Sequence, residues 1–158
     1  MKLTDIVVPE AIVPDLAATT RDQAISEIVD ALVAAGALSP ELKDEFVKAI
    51  IKREKRGSTG FGHGVAVPHV KHAAISRMAV AVGVSRTGID FNALDKQPVY
   101  SIFLLLSPED KPEDHLDAME AIFGNLSQDT FRRFLRQSQT AEDVMGLLEE
   151  ADNKAKVR

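Results

Sequence analysis

The sequence predicts a single α/β domain in which helices flank a mostly buried sheet. Three observations carry that prediction. Apolar stripes of helical period alternate along the chain with apolar runs of strand length. One of these runs, VYSIFLLLS (99–107), is nearly uninterrupted, as expected for a strand covered on both faces. No internal repeat, low-complexity tract or composition break divides the 158 residues, a length typical of one domain. The domain is expected to occupy residues 1–152, with 153–158 a solvated, frayed tail.

Each element has its own signal. The first 18 residues set short apolar clusters between Pro9 and Pro14, which suits an extended or edge-strand start. Thr20 and Gln23 then fit a capping box, and Ala24, Ile25, Ile28, Val29, Leu32 and Val33 recur at helical spacing until Gly36. Ser39–Pro40 opens a second helix with proline at its first position. Leu42, Phe46, Ala49 and Ile50 form its apolar stripe. Lys52, Arg53, Lys55 and Arg56 suit its C-terminal dipole before Gly57 ends it. GSTGFGHG (57–64) is a glycine-rich loop, and VAVPHV (65–70) reads as a strand interrupted or ended at Pro68. MAVAVGVS (78–85) and residues 99–107 are strands. Beyond Pro108 and Pro112 a helix spans about Glu113 to Leu126, followed by TFRRFLRQ and TAEDVMGLLEEA, the last with Thr140 and Asp143 as a cap pair.

Composition removes several functions. With 24 acidic and 19 basic side chains the net charge is −5, opposite to what phosphate-backbone binding requires. One Tyr, seven Phe and no Trp leave little for base stacking. Absence of cysteine excludes disulfides, thiol nucleophiles and cysteine-ligated metal. No run approaches the ~18 apolar residues of a membrane span. The start MKLTDIVVPEAIVPDL lacks the apolar core of a signal peptide, so a cytosolic protein without membrane insertion is expected.

The chemistry concentrates in REKRGSTGFGHGVAVPHVKH, residues 53–72. The Walker phosphate loop needs Gly-Lys-Ser/Thr at its end, which is missing. A dinucleotide fingerprint needs a strand before its glycines and a helix after them, the reverse of the order here. What remains is a bendable loop between Arg53 and His69, able to turn several N–H groups on one anion. Arginine offers a planar fork to phosphate oxygens. A histidine with a pKa near 6.5 is mostly neutral at pH 7 and keeps a ring nitrogen free to attack phosphorus. Loop hydroxyls commonly satisfy their own turn, so that reading of Ser58 and Thr59 stands beside phosphoryl contact. A zinc site from His63, His69 and His72 is a further alternative, although their spacing fits no helical ligand pair.

The run REKRGSTGFGHGVAVPHVK resembles the active-site segment of the fructose/mannitol-type enzyme IIA domains of the bacterial phosphotransferase system, especially the nitrogen-regulatory branch. Such domains carry an Arg-Glu pair, a Gly-Ser-Thr-Gly loop and an Ile/Val-Pro-His motif. The resemblance extends over nearly the whole chain, including GID after the second strand and the Pro-to-His-Leu stretch before the next helix. It implies a mixed, roughly five-stranded sheet between helical layers. It also implies that His69 is phosphorylated, that Arg53 lies near it, and that His115 of PEDHL orients or stabilises the phosphoryl group. Ser58, Thr59 and Gly60 are the expected phosphoryl-binding residues. No metal or other cofactor is expected. The implied donor is a histidine phosphocarrier protein (HPr-like), and the acceptor an enzyme IIB component or a regulated protein. The alternative is a regulatory module whose partner affinity follows its phosphorylation state. The sequence departs from the pattern at Val70, where the family usually has glycine, which is expected to set a β-branched side chain beside the phosphoryl site. His63 and His72 also lie outside the motif.

Overall fold

The computed structural model describes residues 1–157, and side chains for 1–154. Its helices are α1 (Leu3–Ile6), α2 (Arg21–Ala34), α3 (Lys43–Arg56), α4 (Pro112–Leu126), α5 (Asp129–Gln137) and α6 (Ala141–Val157). Its strands are β1 (Val7–Val13), β2 (Gly60–Gly62), β3 (Val65–Ala66), β4 (His69–His72), β5 (Ala79–Ile89) and β6 (Val99–Pro108). Of the caps anticipated from sequence, the N-cap hydroxyl bonds form, but the Gln23 side chain returns to the Thr19 N–H and not to that of Thr20, so the capping box is only half made. The Thr20 side chain accepts the Gln23 N–H at 3.3 Å, and Thr140 accepts the Asp143 N–H at 3.0 Å. Gly36, at φ 79°, takes the left-handed conformation that ends α2. The proline at residue 40 starts a 3₁₀ turn, Pro40–Leu42, that leads directly into α3.

The sheet is mixed and has six strands where roughly five were expected. Its lateral order is β1-β5-β6-β3-β2, with β4 also paired to β6. β1 runs parallel to β5, which is antiparallel to β6. β3 and β4 both run parallel to β6 along the same flank, at Val65–Ser101 and His69–Leu105 respectively. Pro68 explains why one apolar segment supplies two strands. It has no N–H to continue the ladder, while its carbonyl still accepts the Leu105 N–H at 2.9 Å. Five lateral positions therefore hold six strands.

The uninterrupted run on β6 is divided by the pleat. Ile102, Leu104 and Leu106 join a core with α2 and α3, while Phe103 and Leu105 join a second core with α4, α5 and α6. Each fully buried Leu or Phe contributes about 1.5–3 kcal/mol relative to exposure, which makes β6 the axis of the domain. Residues 153–157, expected to fray, continue the backbone of α6 to Val157; Arg158 lies outside the described residues. Among the described residues, no helix is long and apolar enough to cross a membrane.

Candidate active site

His69 is the first residue of β4, directly after the proline break. Its ring is half-buried, and Nδ1 lies 2.8 Å from the Val67 carbonyl oxygen. A carbonyl can only accept, so Nδ1 carries the ring proton and donates it to that bond. The neutral imidazole is thereby left with its lone pair on Nε2. Two residues of backbone geometry thus decide which ring nitrogen keeps the lone pair.

His115 reaches the same place from the first turn of α4, which starts with Pro112. Its ring centroid lies 5.6 Å from that of His69, the planes inclined by 55°. His115 is 6% exposed, and its Nδ1 lies 2.7 Å from Oγ of Ser107, which is fully buried on β6. Burial lowers the His115 pKa most, and the electrostatic influence of Lys71 and then of the neighbouring His69 ring lowers it further. At neutral pH the ring is uncharged.

The remaining sequence candidates lie at the end of α3 and in the loop that follows it. Arg53 lies in the last turn of α3, and its Nη1 donates to the Gly57 carbonyl at 2.8 Å, closing the helix end. Ser58 donates to the Phe91 carbonyl at 2.8 Å and accepts the Gly60 N–H at 3.0 Å. Thr59 gives both its N–H and its hydroxyl to the Glu54 carboxylate. In this structure these donors hold the loop together. The turn-satisfying reading of Ser58 and Thr59 therefore describes their geometry.

Val70 corrects a further expectation. Alternation along β4 sends its side chain to the face opposite His69, where it packs against the α2–α3 core. Its β-branch stays out of the histidine pair. The other two histidines are also elsewhere. His72 accepts the Ala74 N–H at Nδ1 and faces the Glu45 carboxylate with Nε2 at 3.2 Å, its ring 4.6 Å from that of Phe46. The exposed His63, at φ 61°, is held through its N–H by Asp95 and lines an open cleft with Arg132, Arg133 and Arg136. Among the described residues, no three His, Asp or Glu side chains gather as metal ligands.

Sequence reasoning missed Glu54, Lys71 and Ser107 as contributors. Glu54 is 3% exposed and carries the Thr59 bonds, an unusual position for an acid in a strongly basic helix end. Ser107 is one of three hydroxyl residues on β6, with Tyr100 and Ser101, and nothing in the sequence sets it apart. Lys71 shares the His69 face of β4 by two-residue periodicity.

A mixed sheet between helical layers, with paired imidazoles at the end of an edge strand, describes an enzyme IIA-like domain. The chain belongs to the EIIA 2 family of the phosphoenolpyruvate-dependent sugar phosphotransferase system, matched over residues 5–151. It is 34% identical to a "Nitrogen regulatory protein" of Bradyrhizobium diazoefficiens over 94% of this chain and 95% of that one. A "PTS system fructose-specific EIIABC component" of Bacillus subtilis is 29% identical over 96% of this chain, which spans only 24% of that larger protein. The crystal structure of nitrogen regulatory protein IIA-Ntr from Neisseria meningitidis superposes with a TM-score of 0.82 at 33% identity, covering 91% of this chain and 97% of that one. The enzyme IIA of mannitol from Escherichia coli, solved in complex with phosphorylated enzyme IIB, shares the fold at a TM-score of 0.73 and 22% identity, with 89% and 95% covered.

Proposed function

We propose that this chain is a cytoplasmic phosphoryl carrier that accepts a phosphoryl group on Nε2 of His69 from a phosphohistidine carrier protein. One observation carries the reading: the Val67 carbonyl holds the proton on Nδ1 and leaves Nε2 as the lone pair beside a second imidazole. Nε2 attacks phosphorus in line. The new P–N bond forms as the bond to the donor histidine breaks, and its electron pair returns to the donor ring. His69 keeps its Nδ1 proton, so the positive charge gained by its ring faces the Val67 carbonyl. No proton has to move during the transfer.

The equatorial oxygens need donors more than they need a general base. His115 is proposed to give one hydrogen bond and Lys71 a neighbouring positive charge. Arg53 supplies guanidinium N–H groups beyond the one committed to Gly57. The loop 57–64, closed by Glu54, gives the donor a shaped surface to dock on. An HPr-like phosphocarrier is the proposed donor. The proposed acceptor is an enzyme IIB component, the partner with which the mannitol enzyme IIA was solved.

The name of the 34% identical relative favours a second output, in which phosphate on His69 changes affinity for a regulated protein. The two outputs separate when phosphorylated protein is mixed with a sugar-specific IIB. Onward transfer drains the label, whereas a regulatory output leaves it in place and changes only binding to the target.

The reading is tested with radiolabelled phosphoenolpyruvate, enzyme I and phosphocarrier. His69→Ala is expected to take no label, while His115→Ala takes it slowly or loses it quickly. Label persisting on another residue of His69→Ala would refute the assignment.

A further inference from the structure

The His115 ring is anchored through one nitrogen, and its anchor has no place in the family motif read from the sequence. Ser107 sits on β6, fully buried, with Oγ 2.7 Å from Nδ1 of His115. Two hydrogen-bond arrangements are available to a neutral ring. In one, Ser107 donates to Nδ1 and His115 carries its proton on Nε2. In the other, Nδ1–H donates to Ser107, whose hydroxyl must then turn to the Met78 sulfur 3.8 Å away.

Thioether sulfur is a weak acceptor, and an imidazole nitrogen is a strong one. The second arrangement would exchange a short O–H···N bond for a long O–H···S contact inside the protein. It would also leave a lone pair on Nε2 of His115, near a His69 ring whose own Nε2 is already a lone pair. The first arrangement has neither defect.

We infer that Ser107 is a positioning residue that fixes His115 as its Nε2–H tautomer, making that nitrogen a hydrogen-bond donor for the phosphoryl group on His69. The inference rests on the proposed phosphoryl chemistry for its purpose, but the tautomer itself belongs to the unphosphorylated protein. Ser107 touches neither donor nor phosphate; it acts only through His115. A ring held at Nδ1 has a single orientation, and its donor is in place before phosphorus arrives. The lowered basicity of His115 supports this, because a protonated ring would have no Nδ1 lone pair for Ser107 to bond.

Long-range ¹H–¹⁵N correlation of ¹⁵N-labelled protein reads the protonation of each ring nitrogen without any partner. Wild-type His115 is expected to show one tautomer, with a protonated Nε2 and an unprotonated Nδ1. Ser107→Ala should move the His115 nitrogens toward averaged values while His69 keeps its Nδ1–H signature. Loss of this single hydrogen bond should slow labelling of His69 by about three- to tenfold. Ser107→Thr, which retains the hydroxyl, should restore both readouts.

A protonated Nδ1 on wild-type His115 overturns the inference. So do unchanged His115 nitrogens in Ser107→Ala, or an unchanged labelling rate in that variant. Failure of wild-type His69 to accept phosphate defeats the proposed function instead, and leaves the tautomer measurement standing on its own.

Discussion

At the scale of single residues, His115 ties the stability of the fold to pH. His115 is buried beside Lys71 and His69, so its folded-state pKa lies below the ordinary histidine value. In the unfolded chain it titrates near 6.5. Between the two values the unfolded state binds a proton that the folded state refuses. Stability from this group is therefore complete above about pH 6.5 and is lost as the pH falls through that value towards the folded pKa. Unfolding midpoints in urea should decline between pH 7.5 and 5.5, with a contribution of at most about 1.4 kcal/mol per pH unit from one proton. His115→Asn should flatten the decline; a variant with the wild-type slope would assign the effect to other groups. His69 stands out as a candidate in the sequence because its motif is local, with proline, histidine and glycine-rich loop within about a dozen residues. Ser107 and Glu54 do not, because their roles arise from partners brought together by folding. Ser107 meets a helix that begins after the next loop, and Glu54 turns back on Thr59 only once α3 has ended.

At the scale of elements, the helices were legible because their caps and apolar stripes are contained within each segment. The short pieces were not. β2 has three residues and α1 four, too few for any period to register, and both are defined by neighbours: β2 by its pairing with β3, α1 by bonds to α6. The glycine-rich segment illustrates the cost of reading such a piece from composition alone. Its glycines suggested an anion cradle, and composition alone does not show that packing also requires Gly60. A Cβ there would lie 2.9 Å from the Ala93 Cβ and 3.1 Å from the Ser58 hydroxyl, while the Gly60 carbonyl accepts the Leu94 N–H at 2.8 Å. Gly60→Ala should destabilise the protein by about 1–3 kcal/mol through this overpacking. Gly124, inside α4, has nothing within 4 Å of the same position. Gly124→Ala should stabilise by about 0.5–1 kcal/mol, because alanine loses less backbone freedom in a helix. Paired thermal melts check the opposite signs. A neutral Gly60→Ala would mean that the loop moves away from Ala93 at little cost.

At the scale of the whole molecule, the two ends of the described chain are joined by one carboxylate. Asp152, 8% exposed near the end of α6, accepts the Leu3 N–H at 2.9 Å, the Thr4 N–H at 3.1 Å and the Thr4 hydroxyl at 2.6 Å. These are the unsatisfied donors at the start of α1, and an anion there also complements the helix dipole. Through α1 the bond holds β1, which pairs with β5 at one side of the sheet. His69 lies on β4, beyond β5 and β6, at about three strand spacings of ~4.8 Å each from β1. Closure of the domain and the proposed phosphoryl acceptance therefore lie on opposite sides of the same sheet, joined through its centre and through the second core, where α1 meets α4. Asp152→Ala strands a buried N–H and should cost about 1.5–3 kcal/mol. Urea unfolding would measure that loss, and amide exchange at Leu3 and Thr4 should accelerate most. At temperatures where the variant stays folded, labelling of His69 should proceed at the wild-type rate. A labelling rate that falls in step with stability would show instead that the histidine pair depends on the closure of the far side.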